Sequence, residues 1–446
     1  MGKPCIPLLV PEMKTASRFL RKSILVSRLS LVASAFVLFA VTLSPPASSA
    51  PQEGTSTTKG IGKESDALPF NPAVLSISFT EAPASLGNSS ADVSEQQKAS
   101  SFLDIVLVYA DGAPIGKRVT LKREQLKGLL RAFYSQLARQ GDLRVGDATS
   151  PSRLLYDILI RPISVDLRLH KITTLLISAD RGLQAVPYAA LHDGYDFFGQ
   201  QYSFSLTPSV ALTSFLASPP SRASVGLLAG ASHYQDLAPL PLVPQELSGI
   251  ASLEKADVFL NESFTPEVIL DNAASNRYSR VHIATHADFV AGLGGTLYTG
   301  AGSIPIREFA RLRQRRKDSP LDLFALSTCR SVVGDSTTEL GFSGLALQAG
   351  ARSAMGSLWY VDDVVTSAFY LQFYRYLDSG YPKAEALKAT RIAVDKGILR
   401  LNGDQVIGDG GVVLLSRLNS AQKRRISGQI RHPYFWAGIT LLGAPW

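Results

Sequence analysis

Two cysteines, Cys5 and Cys329, are all that the 446 residues contain. That scarcity excludes a small scaffold held by disulfides and a thiolate zinc site. The six histidines, at 170, 192, 233, 282, 286 and 432, lack the His-Glu-x-x-His spacing of a zinc peptidase, so no metal or other cofactor is expected. No glycine-rich loop joins a strand to a helix as a phosphate cradle would. There is no internal repeat. The apolar run "LSLVASAFVLFAVTL" spans fifteen residues, 29–43, where a membrane span wants about 20.

What that run does have is a basic approach and a small-residue exit. Lys3, Lys14, Arg18, Arg21, Lys22 and Arg28 precede it against one acid, Glu12, and "SPPASSAPQ" follows. The pattern is that of a secretory signal over residues 1–50, cut after Ser49 or Ala50. The expected location is periplasmic or extracellular; the alternative is an uncleaved signal that anchors the chain in the inner membrane. Removing the six basic residues and one acid leaves 39 Lys and Arg against 36 Asp and Glu, near +3 instead of +8. The basic balance therefore gives no reason to expect a nucleic-acid partner. Cys5 departs with the signal, which leaves Cys329 as a lone thiol in an oxidising compartment, where an idle thiol is a liability. A buried inert thiol is the competing explanation.

Residues 51–66 are small and polar and form a linker. Residues 67–150 compose an N-terminal α/β extension. "NPAVLSISFTEA" and "LDIVLVYADG" are strand-like, and 121–142 has the apolar spacing of a helix at Leu126, Leu129, Leu130, Phe133 and Leu137. Ser150 and Pro151 open another helix. From residue 151 to 446, short apolar strands alternate with helical segments at 244–253, 265–275, 340–350 and 363–378. Gly380 and Pro382 end the last of these. Such alternation predicts an α/β fold with a mostly parallel sheet flanked by helices on both faces.

Sites in open α/β sheets lie at the carboxyl edge of the strands. "SRVHIATHA" carries His286 near its end and "LDLFALSTC" ends on Cys329, 43 residues later. If the two strands are neighbours, imidazole and thiol emerge side by side. Imidazole can accept the thiol proton and return it to a leaving amine. The backbone N–H groups of Ala287 and Cys329 are candidate oxyanion donors. His282 lies deeper on the same strand and is expected to be a satisfied core histidine. Asp362 and Asp363 follow the strand "SAMGSLWYV". Asp363, or else Asp362, could recognise a lysine or arginine before the cut bond. The competing reading makes the pair a helix cap, which suits aspartate without any ligand. "REFARLRQRRKDSP", 307–320, is expected to be a solvated helix and loop.

"VHIATHADF", "LFALSTCRSVVGD", "GFSGLALQAGARSAMGSLWYVDDVVTSAFYLQFYRYLDSG", "PKAEALKATRIAV" and "HPYFWAGITLLG", in this order, resemble the CHAT domain, a bacterial caspase-like family often found with tetratricopeptide repeats. "SADRGLQAVPYAALHDG", "PSVALTSF" and "LPLVPQEL" resemble its front. The resemblance implies a relative of caspases, separases and gingipains, with peptide bonds hydrolysed through a thioester. The family's histidine and cysteine fall on His286 and Cys329. Two departures stand out. The family usually has glycine after the histidine, here Ala287; a positive φ there would cost alanine about 1 kcal/mol. "RSVVGD" after the cysteine also differs from the commoner run.

The leading expectation is a cysteine endopeptidase acting on a polypeptide substrate, with tetratricopeptide-repeat or cell-envelope proteins as further partners. The alternative is a catalytically silent caspase-like scaffold that binds partner proteins, and Ala287 is its best support. An esterase or acyltransferase could share the same dyad, but no residue favours it.

Overall fold

A computed structural model of the protein describes residues 70–81, 101–110, 112–180, 182–207, 225–290, 294–316, 319–328, 347, 349–359 and 362–446. The expected signal and linker, Cys329 and most of the helix expected at 340–350 lie outside the described residues.

Three strands come first: β1 (Pro72–Glu81), β2 (Ser101–Tyr109) and β3 (Ile115–Thr120). Buried and part-exposed residues alternate along β2, so one face is covered and the other meets solvent. Helices α1 (Arg123–Ala138), α2 (Pro151–Leu159) and α3 (Arg161–Leu169) follow. Pro151 takes the first position of α2, where its missing N–H costs nothing, and Ser150 is the cap residue. Next come β4 (Thr174–Ala179), α4 (Phe198–Gln201), β5 (Ser203–Thr207), β6 (Val225–Gly230), α5 (Val243–Ala251), β7 (Ala256–Leu260), α6 (Pro266–Ala274) and β8 (Tyr278–Ala284). A small antiparallel sheet is built from β9 (Ala287–Val290), β10 (Gly294–Thr299) and β11 (Gly302–Pro305). The short α7 (Leu312–Arg315) precedes β12 (Leu323–Ser327) and β13 (Ser353–Ser357). Then follow α8 (Asp363–Asp378), α9 (Lys383–Asp395), a three-stranded sheet of β14 (Arg400–Asn402), β15 (Gln405–Ile407) and β16 (Val413–Leu415), α10 (Ser420–Ile426) and β17 (Ile439–Gly443).

Eleven strands make the main sheet, in the order β3-β2-β1-β4-β5-β17-β13-β12-β8-β6-β7. The N-terminal strands extend this sheet, since β1 pairs parallel with β4. The strands from β1 to β17 run parallel to one another, as do those from β13 to β7. The two blocks meet at the antiparallel pair β13–β17. Strands β5, β13 and β17 are buried at every residue, as strands covered on both faces must be.

Strand β6 lies between β7 and β8, so the chain steps outward through α5 and back through α6. Right-handed crossovers then put these helices on opposite faces. The topology switches direction between β6 and β8, and a crevice opens at their carboxyl ends. Close approach there depends on Gly230: a Cβ would sit 2.6 Å from both the Ala284 carbonyl and Val243 Cγ1. Helix α8 has defined ends. Asp362 caps it by accepting from Val364 N at 3.0 Å. Gly380, at φ +91°, ends it, with Gly380 N–H bonded to Leu377 O and Tyr381 N–H to Tyr376 O. No helix among the described residues is long and apolar enough to cross a membrane.

Candidate active site

A cleft open to solvent lies at the switch point. The loop after β6 and the start of α5 give it Leu240, Leu242, Val243 and Glu246. The ends of β8 and β12 give it Thr285, His286, Ser327 and Thr328, and α8 adds Asp363, Thr366 and Ser367.

Strands β8 and β12 are parallel neighbours, with Ala284 opposite Ser327. Strand β8 stops at Ala284, two residues before His286, because the chain turns away into β9. Thr285 stabilises that turn: its N–H donates to Ser327 O at 3.3 Å and its hydroxyl to Tyr298 O at 2.5 Å. Tyr298 N–H in turn donates to His286 O at 3.0 Å.

His286 is part-buried and its ring is fixed from two sides. Nε2 lies 2.8 Å from the Ala238 carbonyl. A carbonyl only accepts, so Nε2 carries the proton and Nδ1 is the basic atom of the neutral ring. Tyr234 packs on the imidazole with centroids 4.9 Å apart. The Tyr234 hydroxyl donates to Ala231 O at 2.8 Å, lies 2.7 Å from Thr285 Oγ1 and accepts the His286 N–H. Burial pushes its pKa up, so it stays a neutral phenol.

Ala287 opens β9 opposite Leu297. The bond between Tyr298 N–H and His286 O marks His286–Tyr298 as the bonded pair, so Ala287 N–H points away from β10. Among the described residues, the non-glycines with positive φ are Gln140, Arg144, Lys171, Asn261 and Arg417. Ala287 is therefore ordinary extended backbone, and alanine is unstrained there.

Asp362 and Asp363 share one guanidinium: Arg425 Nε donates to Asp362 Oδ2 at 2.5 Å, and Nη2 donates to Asp363 Oδ1. Asp362 is the helix cap, and Asp363 faces the cleft. Burial and the neighbouring Asp362 charge push the Asp363 pKa up, against the pull of Arg425. His282 is fully buried, with Nε2 2.9 Å from Glu246 Oε1 and its ring edge-on to Tyr370 and Tyr374. Cys329 and the "RSVVGD" run lie outside the described residues; Thr328, bonded to Cys329, is on the cleft wall. Of the basic stretch, Arg307, Arg311, Arg313 and Arg315 are exposed, but Arg316 turns inward and donates to the carbonyls of Ala273, Ser275, Tyr278 and Ser319. The described residues hold no group of three or more His, Cys, Asp or Glu placed to bind a metal.

Residues 149–444 match the model of the CHAT domain. The chain belongs to the CHAT domain family. No curated protein matches its sequence. Solved structures similar to this CHAT protein include the Saccharomyces cerevisiae separase–securin complex, at 10% identity and a TM-score of 0.45. That match covers 84% of this chain and 30% of the other, so the chain spans less than a third of it. Another is the Arg-specific cysteine proteinase gingipain R, at 8% identity and a TM-score of 0.40, covering 72% of this chain and 75% of that one. The complex of the pro- and mature domains of Porphyromonas gingivalis RgpB matches at 10% identity, with a TM-score of 0.38, over 73% of this chain and 77% of that one.

Sequence reasoning missed Tyr234, the Ala238 carbonyl and Arg425. A backbone oxygen has no sequence signature, and Arg425 lies 62 residues beyond Asp363.

Proposed function

We propose that the protein is an exported cysteine endopeptidase that cuts polypeptides with His286 and Cys329. The observation that carries this reading is the single-donor clamp on His286. With Nε2 held by Ala238 O, Nδ1 is left as a base at the mouth of a cleft whose wall leads directly into Cys329.

Nδ1 takes the thiol proton, and the thiolate attacks the substrate carbonyl. The oxyanion forms against the N–H groups of Ala287 and Cys329. The imidazolium then gives its proton to the leaving amine as the C–N bond breaks, which leaves a thioester. Water, deprotonated by Nδ1, attacks the thioester; the C–S bond breaks, the carboxyl-terminal acid of the first fragment leaves, and the imidazolium returns its proton to the thiolate. No metal or cofactor is needed. Asp363, with Asp362 behind it, gives the cleft wall negative character, which favours a basic side chain before the cut bond.

The test compares the full chain with its Cys329→Ala and His286→Ala variants on a mixed peptide library, with cuts read by mass spectrometry. Cuts that both variants lose support the reading. Absence of cuts, with Cys329 inert to alkylation in the folded protein, would favour the silent scaffold.

A further inference from the structure

The loop from Ser232 to Leu240 supplies both groups that fix the His286 ring, the Tyr234 phenol and the Ala238 carbonyl. Much of it meets solvent: His233, Gln235, Asp236, Ala238 and Pro239 are exposed. Burial therefore does little to set its shape between Tyr234 and Leu240, and the geometry must come from its base. There the loop is closed by Leu240 N–H, which donates to Ser232 O at 3.0 Å.

That base is held by Asn261, the residue after β7 at the edge of the main sheet. Asn261 Oδ1 accepts from Ser232 N–H at 2.8 Å and from Ser232 Oγ at 3.1 Å. A backbone N–H only donates, so the amide oxygen is the atom that faces Ser232. Ser232 is 1% exposed, so water cannot replace the bond to its N–H. The backbone at Asn261 is left-handed, φ +52°, a region that asparagine, aspartate and glycine tolerate. Its carbonyl accepts from Phe264 N–H at 2.9 Å and fills the space that a Cβ on Gly300 would need. Gly300 comes two residues after Tyr298, which bonds His286 O and Thr285 Oγ1. Asn261 thus meets both supports of His286: its side chain holds the loop, and its main chain packs on the end of β10. A left-handed backbone and a side-chain acceptor are two demands that asparagine and aspartate meet together.

We infer that Asn261 is a positioning residue for His286: by fixing Ser232 it sets where Ala238 O lies, and that carbonyl sets the orientation of the imidazole. Asn261 touches neither substrate nor the reacting atoms. The inference rests on the peptidase reading for its effect on catalysis, but its effect on the His286 ring is measurable without any cleavage.

The experiment uses the full chain, Asn261→Gly, Asn261→Asp, Ser232→Ala and His286→Gln. Glycine keeps the left-handed backbone and removes the acceptor, whereas aspartate keeps both. Ser232→Ala removes the hydroxyl bond and keeps the N–H bond. Histidine is supplied isotope-labelled, and the ring-nitrogen signals of His286, identified by their loss in His286→Gln, are followed by NMR at about pH 8, where imidazole is neutral. The unmodified protein and Asn261→Asp should show one tautomer, with the proton on Nε2. In Asn261→Gly the two His286 signals should move toward the average of a ring exchanging tautomers, while those of buried His282 stay in place. Ser232→Ala should move them part of the way. Peptide kcat should fall by about tenfold in Asn261→Gly, with KM changed by less than about twofold, and Asn261→Asp should recover most of the loss. A merely structural Asn261 would lower Tm and leave the His286 tautomer as it was. Unmoved His286 signals in folded Asn261→Gly, or the same displacement in Asn261→Asp, would overturn the inference. If Asn261→Gly does not fold, Ser232→Ala decides: unmoved His286 signals there overturn it. If no peptide is cut in a His286-dependent way, the peptidase reading fails, and the His286 signals alone decide the role of Asn261.

Discussion

Ala284 of β8 stands opposite Ser327 of β12 in a parallel pair, and each strand continues within two residues into a proposed catalytic residue. The thiol of Cys329 is thereby expected to feel the His286 ring. Alkylation of Cys329 by iodoacetamide at pH 7 should be at least about tenfold faster in the unmodified protein than in His286→Ala. Mass spectrometry of the peptide containing residue 329 reads the rate. Equal rates would remove His286 as the activating base.

Tyr234 holds His286 through both its ring and its hydroxyl. Tyr234→Phe keeps the ring contact and loses the bonds to Ala231 O and the His286 N–H. Peptidase kcat should fall by about three- to tenfold, with KM little changed and Tm lowered by the loss of bonds worth about 1 kcal/mol each. A KM effect alone would place Tyr234 in substrate binding instead.

Two histidines away from the cleft give the protein an acid limit. Burial pushes the pKa of His192 and of His432 down. His192 Nδ1 accepts from Gly194 N, and His432 Nδ1 accepts from Tyr434 N, bonds that protonation would break. A folded pKa below the unfolded one means stability that is complete above about 6.5 and is lost as pH falls through the folded value. Tm should therefore drop between pH 7 and pH 5, and His192→Gln and His432→Gln should each flatten that drop.

How much of this was readable in advance differs from element to element. Helix α8 runs from 363 to 378 as expected, because Asp362, Gly380 and Pro382 mark its ends in local chemistry. Strand β8 was expected to reach His286 and stops at Ala284: apolar alternation sees the run, but the turn is held by Tyr298, from β10. The Asp362–Asp363 pair was expected either to recognise a basic substrate side chain or to cap a helix; Asp362 caps α8 and Asp363 lines the cleft. Its shared cation was invisible, since nothing in "KRRIS" points to residues 62 positions earlier. Glu246 falls in the helical segment expected at 244–253 and carried no signal of its own; the packing of α5 on the sheet brings it to His282.

Arg391 tests the opposite end of the energetic scale. It is fully buried over the Phe204 ring, with one bond to Ile439 O, no partner for Nε or Nη1 among the described residues, and a pKa that burial pushes down to about 9. A methionine of similar reach keeps the packing without the stranded charge, so Arg391→Met should match or exceed the unmodified Tm. Arg391→Ala should lose about 2–4 kcal/mol to the cavity. Denaturant titration of both variants checks the pair.

The antiparallel join of β13 to β17 has a consequence for the order of assembly. Strand β5 and strand β13 share no backbone bond, and Ile439–Gly443 is the wedge between them. The fit is close: a Cβ at Gly443 would come within 2.3 Å of Arg352 O. During synthesis the wedge emerges after the other ten strands of the main sheet, so among the described residues the strands beside His286 gain their sheet bond to the N-terminal block only when Ile439–Gly443 has been made. A chain cut short before residue 439 holds every residue of the cleft and lacks the strand that joins the two blocks of the sheet, although Arg391 of α9 can still pack on Phe204. Synthesis of Ile439–Gly443 is then the step that makes one sheet of two blocks.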